Sequence, residues 1–298
     1  MPTPPARPKS ASPTHALTRI TLCVSALTFS LGTQASDFER GPAPTPGALE
    51  AKGPFAIATA TIAKPEGYGS ATVYFPRDTS QGKFGLVMLT PGFLGVPGYY
   101  QWLAERVASH GFVVVNIGTN TILDVPDARA REMAAALKQV ASLATLPETP
   151  FGSATDTSRR ALMGHSAGGG GTLTAALKDT TLKAAIPMNP ATTGSDFSGI
   201  TVPTMILACE KDAIAPNKTF SAKYYATLNP HINHAYLEVA AADHLCPTSL
   251  AKASVQNTVG KTVISWLKRY VDEDQRYEPF ITGASAPTYS KVDVQIGR

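Results

Sequence analysis

Residues 160–171 read Arg-Ala-Leu-Met-Gly-His-Ser-Ala-Gly-Gly-Gly-Gly, an apolar run that ends in Gly164-His165-Ser166-Ala167-Gly168. A serine between two glycines, after a strand-like run and before a helix-like one, has the form of a nucleophile elbow. The residue types follow from the chemistry. A sharp strand-to-helix turn lifts the hydroxyl out of the sheet and leaves almost no room for side chains at the flanking positions. The helix that follows points its amide dipoles at the place where an oxyanion would form. An idle Gly/Ser-rich turn would look similar over five residues, so the pattern makes demands on the rest of the chain.

The first demand concerns partners. An elbow serine needs an acid and then a histidine, in that chain order, on loops after later strands. Three histidines follow Ser166: His231, His234 and His244. The first two precede the strand expected at 236–239 and fall on the wrong edge of a parallel sheet. His244 follows that strand and is the expected base. For the acid, the strand expected at 204–209 runs into Glu210-Lys-Asp212-Ala-Ile-Ala-Pro216. Asp212 is preferred over Glu210 because a short carboxylate before an apolar turn can hold the imidazole in one tautomer. Asp243 adjoins His244 in sequence and is expected to be solvated. The oxyanion donors are expected at the amides of Ala167 and of Phe93, in the Pro91-Gly92-Phe93 loop. There is no HExxH, phosphate loop or dinucleotide fingerprint, so no metal and no organic cofactor is expected.

The elements that must position these residues are legible in order. Residues 54–63 and 70–75 alternate apolar and small polar residues around a turn, as an antiparallel pair would. Continuous apolar runs at 84–90, 111–117, 160–164, 183–188 and 204–209, with the strand at 236–239, read as buried parallel strands. Helical patterns at 99–110, 127–143, 167–178, 220–228 and 255–270 lie between and after them. Strands that begin as a hairpin and then alternate with helices indicate a mostly parallel sheet covered on both faces. With the elbow, this predicts one α/β-hydrolase domain over residues 36–298.

Bulk properties agree. The chain has 298 residues, 43% hydrophobic residues and a net charge of +4. Arg7, Lys9 and Arg19 supply three of those positive charges in an acid-free leader, so the rest is near neutral and offers nothing to nucleic acid or an anionic membrane surface. No apolar run reaches the length of a membrane span. The leader carries an apolar stretch from Ile20 to Leu31 and then Thr33-Gln34-Ala35, the form of a secretion signal cut near residue 36. The protein is therefore expected outside the cytoplasm, extracellular or periplasmic, and as a monomer. The Pro-, Ala-, Thr- and Gly-rich flank at 36–50 reads as unfolded. Removing the leader takes Cys23 and leaves Cys209 and Cys246, either bonded to each other or present as two buried thiols.

Taken together, these residues resemble the bacterial polyester hydrolases, that is, cutinases and polyethylene terephthalate hydrolases. The resemblance rests on Arg40-Gly-Pro42 with Gly53-Pro-Phe55, Gly67-Tyr-Gly69, Ala108-Ser-His-Gly-Phe-Val-Val114 and Thr119-Asn120 with Leu123-Asp124. It continues through Ala208-Cys-Glu-x-Asp-x-Ile-Ala-Pro216, Trp266-Leu-Lys-Arg-Tyr270 and Asp274-x-Arg-Tyr277. It implies a triad of Ser166, Asp212 and His244, with oxyanion amides on Phe93 and Ala167. It also implies an active-site disulfide between Cys209 and Cys246, as in the branch from mesophilic Gram-negative bacteria, and the substrate would be a polyester or ester at a polymer surface. His165, Ala191 and Phe220 align with positions that line the family's substrate site. Here His165 matches the thermophilic cutinases. Ala167 stands where Met is usual and Ala191 where a substrate-clamping Trp is usual, while Phe220 and Tyr224 replace His and Phe. The resemblance thus implies easier cleavage of aliphatic polyesters and short acyl esters than of the terephthalate polymer. A secreted carboxylesterase or lipase for small or glyceride esters would use the same triad, whereas a non-catalytic ester-binding scaffold would not need it.

Overall fold

The computed structural model describes residues 1–8 and 36–297. The expected secretion signal, residues 1–35, lies outside the described residues except for 1–8. Residues 36–297 form one compact unit.

The strands are β1 (Ile57–Thr61), β2 (Ser70–Pro76), β3 (Phe84–Thr90), β4 (Val113–Gly118), β5 (Thr155–His165), β6 (Ala184–Met188), β7 (Thr204–Cys209), β8 (His234–Val239) and β9 (Tyr289–Gln295). They make one sheet in the order β1-β2-β4-β3-β5-β6-β7-β8-β9. The six strands from β4 through β3 and β5 to β8 run parallel, and β1, β2 and β9 are antiparallel additions at the two edges. Every residue of β3, β4, β6 and β7 is buried, as continuous apolar runs require.

Neighbouring residues on these strands serve opposite faces. Val87, Leu89, Met163, Ile186 and Leu207 meet the helices α2 (Gln101–Ser109) and α6 (Ala253–Tyr270). The short helices α1 (Pro46–Leu49) and α7 (Pro279–Thr282) join that face through Leu49 and Ile281. Leu86, Met88, Leu162 and Ile206 meet α3 (Pro126–Leu143), α4 (Ala167–Ala176) and α5 (Ser221–Tyr225). This is an α/β-hydrolase arrangement, and it puts the C-terminal ends of six parallel strands on one edge.

Two expectations need correction. Residues 36–50 are folded despite their composition. Thr45 caps α1, Leu49 is 1% exposed, Ser36 donates to the Asp272 carbonyl, and Glu50 pairs with Lys261 at 2.7 Å. One apolar anchor and a few polar ties replace a hydrophobic pattern there. The second is β9, an element the sequence reading missed. Val292, Val294 and Ile296 alternate with polar residues, a half-buried edge-strand signal.

Candidate active site

The elbow forms between β5 and α4, at the middle of the sheet. Ser166 sits at φ 54°, ψ −117°, a conformation that side-chain-bearing residues rarely adopt. It is held there from three directions. Its N–H donates to the Met188 carbonyl at 2.9 Å, and its carbonyl accepts from Gly170 at 2.9 Å and Ala191 at 3.0 Å. The flanking glycines are required by contact. A Cβ on Gly164 would lie 2.4 Å from the Gly168 carbonyl oxygen, and one on Gly168 would lie 2.4 Å from that of Pro91. The close approach of Gly168 brings the start of α4 against the Pro91-Gly92-Phe93 loop, so the amides of Ala167 and Phe93 belong to two adjoining segments.

Asp212 and His244 meet across two loops, His244 Nδ1 lying 2.7 Å from Asp212 Oδ2. The other carboxylate oxygen accepts the amides of Ile214 at 3.0 Å and Ala215 at 2.7 Å. The apolar turn after Asp212 therefore aims the carboxylate, and both side chains are buried. The remaining candidates fall elsewhere. Glu210 accepts the Ala241 amide at 2.6 Å, Asp243 turns back on the Leu245 amide, and His234 begins β8 at the opposite edge of the sheet. Cys209 and Cys246 form a disulfide between the two loops.

His165, expected to line the substrate site, sits directly before Ser166 and is anchored from within. It is 3% exposed, with Nδ1 2.7 Å from the Tyr100 hydroxyl and Nε2 2.8 Å from the His244 carbonyl. Both ring nitrogens are engaged inside the protein, leaving no polar atom for a substrate. Burial, then the neighbouring His244, pushes its pKa down to about 3, so the ring is neutral. Ala191 and Phe220 are half-buried. Tyr224, beside Phe220, props the same region by donating to the Thr192 carbonyl at 2.6 Å.

Three buried residues that bond the loops of this site escaped the sequence reading. Arg129, fully buried, donates to the carbonyls of Pro91, Ile122 and Asp124 at 2.8–3.0 Å and so ties the loop after β3 to the loop after β4. Its signal was a cation in the apolar stripe of α3 that also holds Met133, Ala136 and Val140. Asn189, at φ 42°, donates to the His244 carbonyl at 3.0 Å. Tyr100, 1% exposed, has no sequence signal beyond an aromatic at a helix start.

The model of the PETase family, described as PET hydrolase-like, matches residues 32–297. The chain belongs to the PET hydrolase-like family. Among relatives, it is 42% identical over 250 residues to Cutinase 2 of Thermobifida cellulosilytica, covering 83% of this chain and 92% of that one. It is 39% identical over 262 residues to the bis(hydroxyethyl) terephthalate hydrolase of Streptomyces coelicolor, covering 86% and 81%. The chain is thus a carboxylic ester hydrolase of the cutinase and polyester hydrolase type.

Two buried histidines set how this family member responds to acid. His110 donates to the Ala51 carbonyl at 3.1 Å, and burial lowers its pKa to about 4; His165 is the second. Each folded-state pKa lies below that of the unfolded chain, so the unfolded chain takes up protons first as pH falls. The stability that these two groups contribute is full above about pH 6.5 and is lost from there down to about pH 4 for His110 and about pH 3 for His165. Between pH 7 and 5.5, His110 accounts for roughly 1 kcal/mol of the loss. Urea melts of His110→Gln should therefore fall less steeply over that interval than those of the native chain, and parallel curves would contradict the assignment.

Proposed function

We propose that this protein is a secreted polyester hydrolase that works through Ser166, His244 and Asp212. Ser166 Oγ attacks the ester carbonyl while His244 Nε2 takes its proton. The amides of Phe93 and Ala167 receive the oxyanion, and the imidazolium then protonates the departing alcohol. Water repeats the cycle on the acyl-enzyme and releases the acid. Asp212 keeps the base proton on Nδ1, so that Nε2 presents its lone pair.

One observation carries the polymer reading. Among the described residues, ten of the thirteen exposed large hydrophobic side chains lie on the loops that follow β3, β4, β7 and β8. They include Phe93, Leu94, Ile122, Leu123, Val125, Ile214, Leu245 and Leu250. Those loops emerge on the edge where Ser166 sits. They are joined by the Leu94 amide on the Ile122 carbonyl at 2.8 Å and the Ser249 amide on the Tyr99 carbonyl at 2.7 Å. An apolar rim around a reactive serine suits adsorption to an apolar solid better than capture of a small dissolved ester. Ala191 supplies no ring for stacking, a contact worth about 0.5–1.5 kcal/mol beyond burial, which favours aliphatic chains over terephthalate units. The related cutinases and terephthalate-ester hydrolase support the same substrate class. Export rests on residues 20–35, and sequencing of the mature N-terminus should begin near Ser36.

The test is product release from an aliphatic polyester film, terephthalate polymer and a triglyceride in parallel. The aliphatic film should release soluble acid fastest. Cleavage of the triglyceride alone would make the protein a lipase instead. The rim is tested separately. Leu94→Ser with Ile122→Ser should lower film hydrolysis several-fold through weakened adsorption, at about 0.8 kcal/mol per buried methylene lost. Turnover of a short p-nitrophenyl ester should change less than about twofold, because the rim lies outside the proton-transfer path.

A further inference from the structure

We infer that Tyr100 is a positioning residue for the ester hydrolysis proposed above, locking the oxyanion loop and the base loop to one another through the imidazole of His165. The inference rests on that reading of the site and adds a component to it.

The hydrogen-bond chain has only one consistent direction. The Gly92 amide donates to the Tyr100 hydroxyl oxygen at 3.2 Å. His165 Nε2 faces the His244 carbonyl at 2.8 Å, and a carbonyl can only accept, so the single ring proton of His165 is on Nε2. Nδ1 is then an acceptor, and the Tyr100 O–H donates to it at 2.7 Å. Tyr100 keeps its proton because burial raises the phenol pKa to about 12. The chain therefore runs from Gly92 through Tyr100 and His165 to the backbone of the base.

Each end of the chain meets the chemistry. Gly92 precedes Phe93, the proposed oxyanion donor, and packs so closely on the nucleophile that a Cβ there would lie 3.0 Å from Ser166 Cβ. The other end fixes the peptide after His244. Its carbonyl accepts from both His165 and Asn189, and the rings of His165 and His244 lie 4.7 Å apart between centroids. Asp212 holds the His244 side chain at Nδ1, while this chain holds its main chain. With both fixed, the direction of Nε2 is fixed as well. Tyr100 touches none of the reacting groups and acts through His165 and Gly92.

A residue that only positions catalytic groups should affect turnover more than binding. Tyr100→Phe keeps the ring and removes the hydroxyl. We expect kcat on a short soluble ester to fall about tenfold, since small misplacements of catalytic groups carry penalties of that order or more, while KM stays within about twofold. Labelling of Ser166 by a fluorophosphonate should slow by the same factor. In a His165→Phe background, the further change Tyr100→Phe should cost less than about twofold, because the relay is already cut. An unchanged kcat in the single variant, or the same tenfold loss in both backgrounds, would overturn the inference.

Nitrogen-15 NMR of histidine-labelled native enzyme decides the point even should a variant not fold. His165 should show an unprotonated, hydrogen-bonded Nδ1 and a slowly exchanging Nε2 proton. A proton on Nδ1 would sink the relay. Failure of the fluorophosphonate to label the native enzyme would instead sink the serine mechanism itself, so the two failures are distinguishable.

Discussion

Asp212→Asn should lower kcat on a soluble ester by about 10⁴-fold while leaving the fold and KM nearly unchanged. The size of the effect follows from the way the carboxylate is held. One oxygen accepts the amides of Ile214 and Ala215, and the other faces His244 Nδ1. In the variant, the amide oxygen stays with those two backbone donors, because the amide nitrogen cannot accept from them. The nitrogen is then turned toward His244 and can only donate. His244 must answer with an unprotonated Nδ1, which moves its proton to Nε2, where it faces the nucleophile. The geometry survives and the base is disabled. Ser166→Ala removes the nucleophile and should lose at least as much. Glu210→Gln is the control: it sits on the same loop but accepts the Ala241 amide, and it should change kcat less than about twofold. A small effect at Asp212 with a large one at Glu210 would reverse the assignment of the acid.

The parts of the site that could be read from the chain are those whose constraints are local or topological. The glycines around Ser166 were legible because the elbow leaves no space for a Cβ: one built on Gly164 or Gly168 would lie 2.4 Å from a carbonyl oxygen. The meeting of His244 with Asp212 was legible because parallel strands deliver all their C-terminal loops to one edge, which removed His231 and His234 from consideration. Tyr100, Arg129 and Asn189 obey no such rule. Each bonds backbone carbonyls, amides or a ring on other elements, some near in sequence and some far, and no motif or periodicity names those partners. The short N-terminal segment illustrates the same limit from the other side. Its composition lacks the apolar residues of a core element, yet Leu49, the Thr45 cap and the Glu50–Lys261 pair hold it on α6. Patterns report burial faces well, whereas single polar ties over long separations leave no periodic trace.

The disulfide between Cys209 and Cys246 should account for a large share of the thermal stability. Cys209 ends β7 three residues before Asp212, and Cys246 lies two residues after His244, so the bridge closes a loop of 37 residues. Closing a loop of that length stabilises the fold by roughly 3–4 kcal/mol in the chain-entropy account. At about 2–4 °C per kcal/mol for a chain of this size, Cys209→Ala with Cys246→Ala should lower the Tm by roughly 10 °C. Alanine is the appropriate replacement because both sulfurs are at most 1% exposed and serine would bury two hydroxyls. The same burial shields the bond from reductant in the folded state. Reductant should therefore leave activity intact in the cold and act only as the protein begins to open. Because the bridge fixes the spacing of the acid and base loops, activity in the variant should fade several degrees below its own unfolding midpoint, as the bond between Asp212 and His244 loosens before the core melts. Scanning fluorimetry and residual activity over the same temperatures measure the two events separately. Identical melting of the variant and the native chain would remove the stabilising role, and coincident loss of activity and structure would remove the loop-spacing role.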